Sequence, residues 1–144
     1  MKRISILYLI VFAVLLTSCD SELALKRLVW GMNKMMGDGF FPSSEILALG
    51  EFESTEVNVK SETVNGESSG LIEIKLYNGK SEAFLRNQES VARECAELYV
   101  KGFSKIADYQ NIIIYFVQTD PMNMENVAIN EYQFEIKDFL ESNE

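Results

Sequence analysis

TEVNVKSETVNGESSGLIEIKL, residues 55–76, contains two segments of alternating apolar residues on either side of Asn65-Gly66. Asn-Gly favours the positive φ angles of a two-residue type I′ turn, so the sequence predicts a β-hairpin here. With this loop, the predicted cross-strand neighbours are Val59 and Ile72, Val57 and Ile74, Thr55 and Leu76, and Glu56 and Lys75. The first three pairs share one face and the opposite-charge pair lies on the other. The turn type and the alternation of apolar residues therefore predict the same register for the two strands.

Helical patterns flank this hairpin on both sides. Residues 21–36 and residues 92–106 have apolar residues at helical spacing, and Asn87 or, earlier, Ser81 can cap the second helix. Gly102 lies on the apolar stripe of that helix, where glycine costs about 1 kcal/mol relative to alanine. Its presence predicts a close approach between the helix backbone and the sheet. Cys95 lies on the same stripe and is expected to be a small buried residue.

Two further strands are predicted after the second helix. Residues 112–117 are apolar on both faces, which favours a central strand that is covered on both sides. Residues 119–126 are predicted to form a loop, and a last strand with a bulge near Asn130 follows. The complete pattern predicts an α+β fold, a two-layer sandwich of order α-β-β-α-β-β. Its four-stranded sheet is expected to be antiparallel, with the helices on one face.

The N-terminus has the three parts of a secretory signal. Lys2 and Arg3 precede an apolar run over residues 4–16, which is shorter than the roughly 20 residues that a membrane-spanning helix needs. The run ends in Leu16-Thr17-Ser18-Cys19, which resembles the lipobox of bacterial prolipoproteins. The resemblance implies cleavage before Cys19 and a lipid such as palmitate on Cys19. The alternative is a buried N-terminal helix with an incidental cysteine.

This resemblance sets the expected domain organisation and location. Residues 1–18 would be the signal peptide, 19–50 a lipid-anchored helix and linker, and 51–144 an α+β domain that forms one domain with the helix. The protein is expected in the bacterial cell envelope, anchored through Cys19 to the inner or outer membrane and either periplasmic or surface-exposed. Beyond the signal, the mature chain resembles small Bacteroidota lipoproteins of unassigned function, and this resemblance does not indicate which activity the chain has.

The charge is strongly acidic. The chain has 13 basic and 22 acidic residues, and removing Lys2 and Arg3 with the signal leaves 11 basic residues and a formal charge of −11. Nucleic acid is therefore not an expected partner, because it attracts basic surfaces. The charge suits a basic protein partner, although solubility alone also explains it.

Residues with catalytic chemistry are few. The chain has no histidine, and Cys95 is the only cysteine besides Cys19, so neither a histidine-dependent triad nor a multi-cysteine metal site is expected. Strand alternation is predicted to turn Glu131 and Glu135 toward solvent, where they would not act as an acid/base pair. The acidic and amide residues at 120–126 do not have EF-hand spacing. We expect no enzyme activity, no catalytic residue, no metal site and no cofactor.

These observations favour a non-enzymatic protein-interaction module held at a membrane. The candidate interaction residues are those of the loop Pro121, Met122, Asn123 and Met124, which places two methionines in a polar setting. One alternative is an acidic inhibitor or immunity lipoprotein that blocks a basic toxin or hydrolase. Another is an envelope enzyme that acts on carbohydrate.

Overall fold

A computed structural model describes residues 21–64 and 67–141. The lipobox-like motif with Cys19, the Asn65-Gly66 turn and the C-terminal residues 142–144 lie outside the described residues. The lipid-attachment and turn predictions therefore remain predictions. No helix among the described residues is both long and apolar enough to cross a membrane.

The chain divides into two units, residues up to Met35 and residues from Met36 onward. The described part of the first unit is helical and belongs to α1, Ser21–Met36, as the sequence predicts. Lys34 lies over the indole ring of Trp30, with its Nζ atom 5.4 Å from the ring centroid.

The second unit is an α+β domain, which confirms the predicted class. A short helix α2, Ser44–Gly50, precedes strands β1, Ser54–Val64, and β2, Glu67–Tyr77. Helices α3, Glu82–Arg86, and α4, Gln88–Gly102, follow, with a 3₁₀ turn at Ile106–Asp108. Strands β3, Asn111–Asp120, and β4, Asn123–Glu135, and a last helix α5, Lys137–Glu141, complete the domain. The helices α2, α3 and α5 are additional to the predicted order α-β-β-α-β-β.

The register of the β1–β2 hairpin is confirmed. The two strands are antiparallel, and the pairs Thr55 and Leu76, Val57 and Ile74, Val59 and Ile72, and Glu56 and Lys75 all occur as predicted. Pairing continues to Val64 and Glu67, which leaves only residues 65 and 66 between the strands.

The prediction of an all-antiparallel sheet is wrong. The four strands lie in the order β1-β2-β3-β4, and β3 runs parallel to β2, from Leu71 opposite Asn111 to Tyr77 opposite Val117. The cause is the connection through α3 and α4. A crossover of a dozen or more residues returns the chain to the starting end of the sheet, and the next strand then runs parallel. The sheet is therefore mixed.

The predicted loop at residues 119–126 is also wrong, because β3 and β4 form a hairpin there. Asp120 pairs with Asn123, whereas its neighbour Thr119 pairs with Val127. Three residues of β4 are therefore extra at this irregularity, at positions 124–126. From Val127 to Glu135 the antiparallel register is unbroken, so the structure has no bulge near Asn130.

The core combines alternate residues of the central strands with apolar helix residues. Ile72, Ile74 and Leu76 of β2 and Ile112, Ile114 and Phe116 of β3 are almost completely buried. They share one cluster with Ala92, Cys95, Ala96 and Tyr99 of α4 and with Phe103, which follows the helix. The predicted helical stripe continued to residue 106, whereas α4 ends at Gly102. Asn87 is the N-cap of α4, and its side-chain oxygen accepts a hydrogen bond from the Ser90 N–H at 3.1 Å. Ser81 caps the separate helix α3.

The predicted close approach at Gly102 is wrong, since a Cβ atom added there would have no neighbour within 4 Å. The tight position is Gly39, in the segment before α2. A Cβ atom on Gly39 would lie 2.0 Å from the carbonyl oxygen of Gly102, and Gly39 has a φ of +76°. Glycine is therefore required at 39, where the chain passes the end of α4.

Candidate functional site

The predicted interaction residues form the tip of the β3–β4 hairpin. The Asp120 side chain accepts a hydrogen bond from the Met122 N–H at 2.8 Å, and Asn123 accepts one from the Glu125 N–H at 3.2 Å. These bonds are typical of Asp and Asn in turns. Met122 is 94% exposed, and Pro121 and Asn123 are also exposed. The Met124 side chain lies outside the part that the structure describes.

Exposed apolar residues continue from the tip along β4. Val127 is 47% exposed and Ile129 is 60% exposed. The register places Val127 opposite Thr119 and Ile129 opposite the buried Val117. We call Met122, Val127 and Ile129 the β4 surface. The sequence did not indicate that Val127 and Ile129 are exposed. A bulge was expected near Asn130, whereas the three extra residues lie at positions 124–126.

A polar cleft of about 600 Å³ adjoins the hairpin tip. It is lined by Glu53, Asn78, Lys80, Gln118, Thr119, Asp120 and Pro121. Glu53 accepts hydrogen bonds from Lys80 Nζ and from Asn78 Nδ2, the latter at 2.8 Å. A second cleft, of about 420 Å³, is lined by Gln118, Thr119, Asp120, Asn126, Val127 and Ala128. The tip therefore adjoins the cleft at Glu53 and a shallower depression at Asn126–Ala128.

The turn after β2 builds the polar cleft. Asn78 has a left-handed backbone conformation with a φ of 52°, which asparagine tolerates better than most residues. Its backbone N–H donates to the Val117 carbonyl and its side-chain oxygen accepts from the Thr119 N–H, both at 2.9 Å. Gln118 Nε2 also donates to the Gly79 carbonyl at 3.0 Å. These bonds attach the turn to β3 just before the hairpin tip.

The turn after β2 packs against a group of three aromatic rings. The rings of Phe52 and Phe116 are stacked with centroids 5.5 Å apart, and Phe84 meets Phe116 edge to face at 4.9 Å. A Cβ atom on Gly79 would lie 2.7 Å from Phe52 and 2.9 Å from Phe84. Glycine at 79 thus lets the turn close over the rings, and this places Asn78 and Lys80 next to Glu53.

The carboxylate in the cleft is held in its charged form. The pKa of Glu53 is lowered by its hydrogen bonds to Lys80 and Asn78 and by the positive charge of Lys80. A carboxyl group that acts as a general acid at neutral pH needs the opposite shift, a raised pKa. Glu53 is thus suited to accepting hydrogen bonds and not to donating a proton.

The other residues considered from sequence lie apart from this site. Cys95 is buried in the core, as predicted, and burial raises the pKa of its thiol to about 12. Glu131 and Glu135 are exposed on β4, and Glu135 forms an ion pair with Lys137 at 2.6 Å. Among the described residues, no group of three or more His, Cys, Asp or Glu side chains could hold a metal ion. A third cleft, of about 440 Å³, includes Ser61 and Tyr109 and lies at the 3₁₀ turn.

Comparisons with known proteins do not assign the chain to a family. No family model, no curated protein and no solved structure matches the sequence or the fold.

Proposed function

We propose that this chain is a lipid-anchored protein of the bacterial cell envelope that binds another protein and catalyses no reaction. The observation that carries the proposal is the β4 surface, where Met122, Val127 and Ile129 are 94%, 47% and 60% exposed. Apolar side chains grouped on a polar surface are typical of protein-binding sites. Methionine suits such a site, because its flexible side chain adapts to the partner.

The rest of the same sheet face supports this choice of surface. On β1 and β2, Lys60 pairs with Glu73 at 2.7 Å, and Lys75 pairs with Glu56 at 3.3 Å. The Tyr77 hydroxyl group donates a hydrogen bond to the Glu56 carboxylate at 2.9 Å. Polar residues there are engaged with one another, whereas the β4 end exposes apolar side chains.

Two chemical observations support the non-enzymatic part of the proposal. The Glu53 carboxyl has a lowered pKa and two hydrogen-bond donors that hold it ionised. The Cys95 thiol is buried, and a pKa of about 12 leaves almost no thiolate at neutral pH. Neither group is prepared for proton transfer or nucleophilic attack.

The proposed anchor follows from the resemblance of Leu16-Thr17-Ser18-Cys19 to a lipobox. Each buried acyl CH₂ group contributes about 0.8 kcal/mol, and two or more acyl chains hold a protein firmly at a bilayer. An anchor at Cys19 would keep the β4 surface close to partners in the same membrane. Proximity of this kind raises the effective concentration of the partner and allows weak contacts to suffice.

A more specific version of this function is inhibition of a basic toxin or hydrolase. The observation that favours it is the position of two exposed glutamates, Glu125 and Glu131, on either side of Val127 and Ile129. An acidic rim around an apolar centre would attract a basic protein and exclude acidic ones. Association would then slow as salt is added.

The test is quantitative capture of proteins from native membranes by the full chain. The triple variant Met122→Ser/Val127→Ser/Ile129→Ser removes the β4 surface. The matched control Leu85→Ser/Leu140→Ser removes two side chains that are 70% and 50% exposed elsewhere. We expect a partner whose recovery falls about tenfold or more with the triple variant, the effect of losing about 1.4 kcal/mol of binding free energy, and stays unchanged with the control. Equal recovery by all three proteins, or recovery of no partner, would contradict the proposal.

A further inference from the structure

Strand β4 is an edge of the sheet. It pairs with β3 on one side and with no described strand on the other. Residues 125–131 are all exposed, which means that both faces of this part of the strand are accessible. An edge strand presents unpaired backbone N–H and C=O groups, which are a template for a further strand.

The two edges of the sheet differ in how they are protected. On β1, the face that carries the ion pairs presents Glu56, Asn58 and Lys60, and Asn58 Nδ2 donates to Glu56 at 2.9 Å. Lysine and ion pairs on an edge discourage strand addition. Strand β4 has no proline, glycine or lysine within Asn123–Glu135 and exposes Val127 and Ile129. Of the two edges, β4 is therefore the one open to another strand.

We propose that a basic, extended segment of a partner protein adds to β4 as a fifth strand. This inference rests on the proposed function, because it specifies how the partner would occupy the β4 surface. Ile129 lies opposite Val117 of β3, and the space on its other side is where an added strand would lie, about 4.8 Å away. Apolar side chains of that strand would cover Val127 and Ile129.

Charge defines the ends of the added segment. Glu131 follows Ile129 by two residues within the regular register, and Glu125 precedes Val127 by two residues, among the extra residues 124–126. Both are exposed. No ion pair between described residues includes either of them. Opposite charges on facing strands are favourable and like charges are not. A fitting segment therefore has a basic residue at each end and alternating apolar residues between them.

A second copy of this chain fits less well than a basic segment. In an antiparallel β4–β4 pair, the register that sets Val127 against Ile129 of the other copy also brings Glu131 level with the other Glu125. The register that sets Ile129 against itself brings Val127 level with Glu131, and the one centred on Val127 brings Ile129 level with Glu125. Each register places a carboxylate against a carboxylate or an apolar side chain, which disfavours self-pairing.

Two synthetic peptides test the inference on the full chain in detergent micelles. The peptide KTVTVTK has the predicted charges at both ends, and ETVTVTE has the opposite charges on the same apolar pattern. Because both sequences are palindromic, either strand direction can be used. We expect KTVTVTK to bind at least about tenfold more tightly than ETVTVTE at low salt, and this preference to shrink as salt is raised.

Variants make the test specific to β4. The double variant Glu125→Lys/Glu131→Lys should reverse the preference and bind ETVTVTE. The matched control Glu94→Lys/Glu141→Lys changes the net charge equally at two exposed helix positions and should keep the preference for KTVTVTK. Ile129→Lys should weaken binding of KTVTVTK at least about tenfold through charge repulsion and loss of the apolar contact. Retained preference in the Glu125/Glu131 variant would overturn the inference.

Hydrogen exchange locates the added strand. With KTVTVTK bound, amides within residues 125–131 should exchange more slowly, while those of residues 56–60 on the other edge should not change. Binding that protects residues 56–60 instead, or no preference between the peptides, would overturn strand addition at β4. Neither result would affect the capture experiment above, so failure of this inference and failure of the proposed function are distinguishable.

Discussion

Replacing Gly39 by alanine should destabilise the protein, whereas replacing Gly102 by alanine should not. In Gly39→Ala the new Cβ atom would lie 2.0 Å from the Gly102 carbonyl oxygen, and the φ of +76° disfavours any residue with a side chain. In Gly102→Ala nothing lies within 4 Å of the new Cβ atom. Gly102→Ala is therefore the control for Gly39→Ala, because it adds no atom to the contact between residue 39 and the Gly102 carbonyl oxygen.

The magnitude follows from the geometry at each position. The left-handed conformation costs alanine about 1–2 kcal/mol, and overpacking a rigid site adds about 1–3 kcal/mol. The backbone at residue 39 cannot easily move away from this clash, because both of its neighbours are held by hydrogen bonds. The Tyr99 hydroxyl donates to the Phe40 carbonyl at 2.7 Å, and the Ser104 N–H donates to the Asp38 carbonyl at 2.9 Å. Gly39→Ala should therefore lower the free energy of unfolding by about 3 kcal/mol. Gly102→Ala, in the last turn of α4, should change it between zero and a gain of about 1 kcal/mol.

Urea unfolding of the full chain, followed by circular dichroism, measures both effects. With a slope of about 2 kcal/mol per molar urea, the midpoint should fall by about 1.5 M for Gly39→Ala and rise slightly or not at all for Gly102→Ala. Equal destabilisation by the two substitutions, or a neutral Gly39→Ala, would refute the contact and the conformational argument together.

Three other predictions concern buried groups and the anchor. Tyr99→Phe should lower the free energy of unfolding by about 1–2 kcal/mol in the same assay, because it leaves the buried Phe40 carbonyl without its donor. Burial raises the pKa of the Cys95 thiol from 9.0 to about 12, so this thiol loses its proton at a lower pH in the unfolded chain than in the folded protein. Stability should therefore fall as pH rises above 9, and the loss should be smaller in Cys95→Ala, measured as the difference in unfolding free energy between the two proteins. Labelling with a palmitate analogue should vanish in Cys19→Ser and persist in Cys95→Ser, and equal labelling of wild type and Cys19→Ser would contradict the anchor.

The β1–β2 hairpin could be predicted residue by residue because its determinants are local. The Asn65-Gly66 dipeptide and the alternation around it favour the same register, and a shift by one residue would turn Val57 and Val59 away from the core. The cap at Asn87 and the burial of Cys95 depend on the same kind of short-range pattern.

Features that depend on distant parts of the chain could not be predicted in this way. The parallel pairing of Ile72 with Ile112 is set by the path of the crossover, which no alternation pattern encodes. The contact of Gly39 with Gly102 joins residues far apart in sequence, so the pattern indicated only that a glycine was unusual on α4. The Glu53, Asn78 and Lys80 cluster likewise forms only when the turn after β2 meets the segment before β1.

Site-specific photo-crosslinking in living cells tests the central claim, that the hairpin tip contacts a partner protein, most directly. A photoreactive amino acid in place of Met122, which is 94% exposed, would be compared with the same group in place of Leu85, which is 70% exposed on α3. We predict a defined crosslinked protein from position 122 that is absent from position 85 and is lost when Ile129→Lys is added. No crosslink at 122, or the same products from both positions, would contradict the account.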